Sequence, residues 1–208
     1  MGSVLSVNLA DVRTIERRGK PVRTGIWKLP AAGRVHAGRE GLDGDVQADR
    51  RVHGGPDMAV YSYAREDADW WEAQLGRELE DGTFGENLTL RGIEVTGALV
   101  GERWRVGEAL LEVSAPRIPC WKLGVKMDDP RFVKTFGRAL RPGAYLRVIE
   151  EGTIAAGDTV EVLEHPDHGV TVALISEARL FDQSLAPRLL DAPALPLAWR
   201  DWASSRAA

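Results

Sequence analysis

From residue 103 onward the chain alternates short runs of strand-forming residues with glycine-centred turns, and that rhythm limits the folds open to it. Arg103-Trp104-Arg105-Val106, the pair Gly107-Glu108 and then Ala109 to Ser114 read as a hairpin, because a two-residue turn containing glycine separates two β-favouring runs. Ala144 to Glu150, the turn Glu151-Gly152, then Gly157-Asp158 and Thr159 to Leu163 repeat the pattern. Several short strands of this kind predict a mainly β fold, a barrel or a sandwich.

Helical texture interrupts and then ends this region. Glu66 to Leu75 carries acidic residues at its start, where the helix dipole favours them, and apolar ones at Trp70, Trp71 and Leu75. After His165 to Gly169, the residues Leu174, Ile175, Ala178, Leu180 and Phe181 fall on one helical side, followed by Leu185, Leu189 and Leu190. Pro193 and Pro196 break that run, and Leu197 to Trp202 predicts a last helix. The expected organisation is a β domain over residues 1–168 and a small helical segment over 169–208.

At 208 residues, 44% hydrophobic and 28% charged, the chain suits one good core and argues against long disorder. A net charge of −4 gives none of the basic footprint of a nucleic-acid binder. Met1 to Ala10 lacks the basic start and apolar run of a secretion signal, and no stretch approaches the roughly 18 apolar residues of a membrane helix. A soluble, cytoplasmic protein without membrane or nucleic-acid partners is expected. Its one cysteine allows no internal disulfide.

Three segments are candidates for chemistry. Gly41 to Asp45 through Val52-His53-Gly54-Gly55-Pro56-Asp57 suits a rigid open loop whose backbone approaches a ligand, and equally suits a tight turn between strands. Thr83 to Thr89 contains Gly85 and Asn87, which offer backbone freedom and an amide for a ligand or for the loop's own turn. In Ser114 to Leu123, two prolines bracket Arg117 and Ile118 and stiffen the approach to Cys120. Arg117 and Lys122 would favour the thiolate there, although a lone cysteine is commonly a small buried hydrophobe. Further cations fall near these segments, at Arg23, Lys28, Arg50, Arg51 and Lys126, and would admit an anionic ligand.

Taken together these segments resemble the MOSC domain family, named for the C-terminal domain of molybdenum-cofactor sulfurases, and its YiiM-like subgroup. Thr24-Gly25-Ile26-Trp27-Lys28, Gly41 to Asp45 with His53 to Asp57, Phe84 to Leu88, and Pro116 to Leu123 are similar to four of its signatures, in order. The resemblance implies a MOSC-type β-barrel with interspersed helices and a small three-helix C-terminal segment. It also implies molybdenum bound through a pyranopterin dithiolene, with Cys120 as the protein's metal ligand. Met58 stands where the subgroup's pattern has lysine, which puts phosphate or partner contacts through that side chain in question.

On that resemblance the expected activity is reduction of N-hydroxylated compounds such as hydroxylamino purines. Cys120 and His53 would be catalytic, His53 giving a proton or orienting the cofactor. Lys28, Arg117 and Lys122 would neutralise the cofactor's charge, Gly54, Gly55 and Gly85 would let amides approach it, and Asn87 would hydrogen-bond pterin or substrate. The chain has neither the cysteines for an iron–sulfur cluster nor a dinucleotide fingerprint, so a separate flavoprotein or ferredoxin reductase would supply electrons. A non-catalytic carrier of cofactor or of persulfide sulfur uses the same thiolate, and a metal-free hydrolase pairing Cys120 with His53 is a third reading.

Overall fold

The computed structural model describes residues 1–48 and 54–207. The N-terminal strand β1 (Gly2–Ala10) is followed by a hairpin of β2 (Arg13–Arg17) and β3 (Lys20–Thr24), then β4 (Lys28–Pro30), β5 (Val35–Gly38) and the two-residue β6 (Gly41–Leu42). A short 3-10 turn, Pro56–Met58, leads into β7 (Val60–Ala64) and helix α1 (Arg65–Leu75). Next come β8 (Leu88–Arg91), β9 (Arg103–Val106), β10 (Ala109–Pro116), α2 (Trp121–Lys126) and α3 (Phe132–Ala139). The strands end with β11 (Ala144–Glu150), β12 (Gly152–Ile154) and β13 (Thr159–Glu164), before α4 (Val172–Leu180), the 3-10 helix Gln183–Asp191 and α5 (Leu197–Ala207).

The main sheet runs β13-β9-β10-β11-β7-β8-β1 and closes on itself where Gly2 and Ser3 pair with Val160 and Thr159. Neighbours are antiparallel except β7 and β8, which run parallel with α1 in the crossover between them. Closure leaves no open edge among these strands. β1 can serve three partners because its register shifts between Val4 and Ser6, bending it from β13 and β8 toward β4.

Alternation fills the barrel. In β9, Trp104 and Val106 point inward while Arg103 and Arg105 face out, and they meet Val4, Leu90, Leu111, Val113, Leu146 and Val160 in one apolar cluster. A second, largely aromatic cluster joins α1, α2 and α3 to the outside of β7, with Trp71 stacked on Phe136 and its Nε1 donating to the Tyr63 hydroxyl at 3.0 Å. A third gathers Ile175, Ala178, Leu189, Leu195 and Ala203 of the C-terminal segment around Val100.

The fold is thus mainly β, a barrel with interspersed helices and a helical C-terminal segment, and the hairpin of β9 and β10 turns at Gly107-Glu108 as expected. The second expected hairpin does not form. β11 pairs with β10 and β7, β13 with β9 and β1, and the intervening β12 turns away to pair with β5. In the C-terminal segment the middle helix is 3-10 and carries Pro187 inside it, while Phe181 ends α4 exposed instead of joining its apolar side. No helix among the described residues is long and apolar enough to cross a membrane.

Candidate functional site

β10 ends where β11 begins, Tyr145 of β11 pairs with Tyr61 of β7, and Leu88, which opens β8, pairs with Ser62, so the loop after β10, the start of β7 and the entry to β8 come together on one stretch of the barrel wall. There the residues just outside those strands meet the segments 24–28 and 45–48 around a cavity open to solvent, with about 680 Å³ of empty space. Its wall includes Cys120, Arg117, Lys122, Lys28, Asn87, Gly85 and Gly54. Seven of the nine residues singled out from sequence therefore share one cavity. His53, with Arg50 and Arg51, lies outside the described residues.

Cys120 occupies the position before the first turn of α2, in extended conformation, and is half-buried. Pro116 closes β10 and Pro119 precedes the cysteine, so the loop between strand and helix has little freedom and the thiol is held on the cavity wall. Arg117, only 6% exposed, lies over the rings of Tyr61 and Phe136, its guanidinium carbon 5.4 and 5.8 Å from their centroids. Its Nη1 is buried without a hydrogen-bond partner among the described residues. Burial works against its charge, while the Tyr61 and Tyr145 phenols and the Cys120 thiol favour it. Burial also raises the pKa of both phenols, so they stay neutral.

Other expected contacts are already committed inside the protein. The Lys28 ammonium sits against the Asp45 carboxylate at 2.5 and 2.6 Å, so it does not project a free cation toward a ligand. Burial lowers its pKa and Asp45 works in the opposite direction. Asn87 accepts from the Tyr61 amide at 3.1 Å and gives its two amide hydrogens to the Asn8 carbonyl and to Asp45 at 3.2 and 2.8 Å. Both of its donors are used, so it fixes the wall, and only its Oδ1 keeps a lone pair beyond the bond from the Tyr61 amide.

The glycines divide similarly. Gly85 has φ +82°, and a Cβ there would lie 3.0 Å from the Ile26 side chain, so its role is close passage of segment 24–28; its amide donates to Gly82. Gly55 does not reach the cavity wall, and its amide is bound by the Gln47 side chain at 3.2 Å. Lys126 donates to the carbonyls of Ile26 and Gly82 below the cavity.

Sequence reasoning missed Asp45 as a hub. Besides Lys28 and Asn87 it accepts from the Ala10 amide at 2.7 Å, tying β1, β4 and the entry to β8 together. It also passed over Glu86, buried between Gly85 and Asn87, which accepts from the amides of Gly82 and Phe84 at 2.7 and 2.9 Å and shapes that turn. Its burial raises its pKa. Tyr61, Tyr145 and Met58 complete the wall, the last an apolar side chain where a cation was expected. Among the described residues no group of three or more His, Cys, Asp and Glu side chains is placed to hold a metal.

The MOSC domain model matches residues 49–161, more than half of the chain. The chain belongs to the MOSC domain family. It is 39% identical to the uncharacterized protein YflK of Bacillus subtilis, over 95% of this chain and 91% of that protein. The crystal structure of YiiM from Geobacillus stearothermophilus superposes with a TM-score of 0.82 at 30% identity, each chain covered completely. A protein of Gibberella moniliformis named a reductase is 34% identical over 71% of this chain, which spans 27% of that longer protein. The MOSC match covers the Cys120 loop and the entries to β7, β8 and β11, while segment 24–28 lies outside it.

Proposed function

We propose that this MOSC protein is a molybdenum-cofactor-dependent reductase of N-hydroxylated compounds. The observation that carries the reading is the Arg117 guanidinium, buried in the cavity wall beside Cys120 with Nη1 unpartnered. A buried cation with an unused donor is costly unless a ligand completes it, and an anionic ligand does so best. The residues present fit the cofactor: a thiolate donor for a soft metal, and two buried cations, Arg117 and Lys122, for its negative charge. The reductase named among the relatives supports the same class of chemistry.

When bound, the cofactor would supply the two-electron redox centre. The overall change is N–OH plus two electrons and two protons giving N–H and water. In this protein Cys120 would act as the thiolate ligand, oriented by its proline-stiffened loop, and Arg117 would hold that thiolate ionised. The neutral phenols of Tyr61 and Tyr145 would narrow the cavity around the substrate and exclude water. His53, the neighbour of Gly54 in sequence, is the candidate proton donor. Electrons would come from a separate flavoprotein or ferredoxin.

Metal analysis of protein made in a cofactor-producing host tests this, comparing wild type with Cys120→Ser and following turnover of a hydroxylamino purine with reduced viologen. Molybdenum near one per chain in wild type, its loss in the variant and amine formation by wild type alone are expected. Equal molybdenum in both proteins would overturn the ligand assignment, and loaded wild type without turnover would favour a cofactor carrier.

A further inference from the structure

The β2–β3 hairpin takes no part in the wall chemistry, yet it stands at the cavity mouth. Its last residue, Thr24, lines the cavity, and near its turn the Arg17 guanidinium lies 4.6 Å from the ring centroid of Trp121, the residue after Cys120. At its base Arg13 covers Trp27 at 5.0 Å. Arg18 and Gly19, with φ of +53° and +74°, form the tight turn that matches strand twist, so the hairpin is a well-formed element. None of its residues enters the three apolar clusters. Its conformation is thus maintained without its side chains being spent on a core.

Those side chains are strongly basic. Arg13, Arg17, Arg18, Lys20 and Arg23 are all exposed and face a single acid, Glu16, a net +4 in a chain whose total is −4. Arg13 is paired with Asp11, but Arg17, Arg18, Lys20 and Arg23 form no ion pair with a described residue. A local field opposite to that of the whole molecule orients an incoming partner and speeds its encounter. The aromatic rings nearby lie under arginines and are not presented for base stacking, which disfavours a single-stranded nucleic acid.

We infer that this hairpin is the docking surface for an acidic electron-carrier protein, which meets the cavity mouth over Trp121. The inference rests on the reductase reading, because only a redox reaction calls for such a partner. Two reduced carriers would each lose one electron per turnover, and with two protons these convert N–OH to N–H and water. Transfer weakens steeply with distance, so the carrier must seat on the rim beside Cys120.

The test pairs Arg18→Glu/Lys20→Glu with a control reversal at exposed Arg188 on the C-terminal 3-10 helix. Direct binding of an acidic flavodoxin and an acidic plant-type ferredoxin is measured at low and high salt, alongside turnover with reduced viologen. Expected are binding of at least one carrier to wild type, a loss of about tenfold or more at low salt in the double variant, a shallower salt dependence, and no change in the control. Viologen-driven turnover and the melting temperature should be unchanged. Neither carrier binding wild type, equal binding by the double variant, or an RNA oligomer binding the hairpin in place of both carriers would overturn the inference. Loss of viologen turnover in the double variant would assign the hairpin to the cavity itself and also overturn it. Failure of all turnover in loaded wild type would instead count against the reductase reading, while the binding measurements still decide the hairpin.

Discussion

Two cations near the cavity, the buried Arg117 and the half-buried Lys126, differ in what satisfies them. Arg117 keeps a nitrogen unpartnered among the described residues, so on the function proposed above its charge would serve a ligand more than the fold. Arg117→Met, which fills similar space, should leave the cofactor-free protein at least as stable in urea while lowering molybdenum retention about tenfold or more. A lower urea midpoint with full retention would assign Arg117 to the fold. Lys126 is satisfied by two carbonyls, but burial, reinforced by Arg117 and Lys28 and opposed by Glu86, pulls its pKa from 10.5 to about 8. The unfolded chain then holds this proton between about pH 8 and 10.5 where the folded chain has released it, so raising the pH across that window favours folding. Wild type should accordingly gain urea stability relative to Lys126→Met between pH 7.5 and about 9.5, and a constant difference would refute the shift. Arg117, Cys120 and Lys122 were legible together because one short stretch of sequence, the loop after β10 and the first turn of α2, carries them. Asp45 was not, because a carboxylate in a glycine-rich loop gives no sign of the amide and ammonium it will meet from distant strands. Asn87 was legible as a cavity residue but its bonds to Tyr61, Asn8 and Asp45 were not, since a structural amide and a ligand-binding amide look the same in sequence.

Among the elements, segment 24–28 is fixed by close passage. A Cβ on Gly25 would fall 2.4 Å from the Val46 carbonyl oxygen and 3.0 Å from the Ala10 Cβ, both anchored by neighbouring chain. Gly25→Ala should therefore cost roughly 1–3 kcal/mol and displace the 45–48 wall. The check is a urea midpoint together with amide exchange of Val46 and Gln47, and an unchanged wall would show that the loop yields freely. The β9–β10 hairpin was legible because both its turn and its partners are local. The pairing of β11 and β13 was not, because each closes against strands far away in sequence and the local turn between them is used by β12. The strand β7 is buried along its whole length and shows no alternation, which removed the period-two signal by which strands are recognised.

At the scale of the molecule, the mainly β character and the helical end were readable from texture, whereas closure was not, because the residues that close the barrel sit at its two extremes. Gly2 pairs with Val160 and Ser3 with Thr159. The cavity draws in turn on residues from Thr24 to Tyr145. A chain emerging from the ribosome can assemble the β9–β10 hairpin early and can pair β1 with β4 and β8, but the barrel closes only when β13 meets Gly2 and Ser3, and such distant pairing is slow to form. Ribosome-stalled chains ending before residue 150 should remain protease-sensitive in β1 and take up no molybdenum, whereas chains with β13 fully emerged should resist; early protection would place closure elsewhere. If the cavity takes the cofactor proposed above, the seam at Gly2 acts as a timer, separating manufacture of the polypeptide from loading and making loading an event in the life of the finished protein.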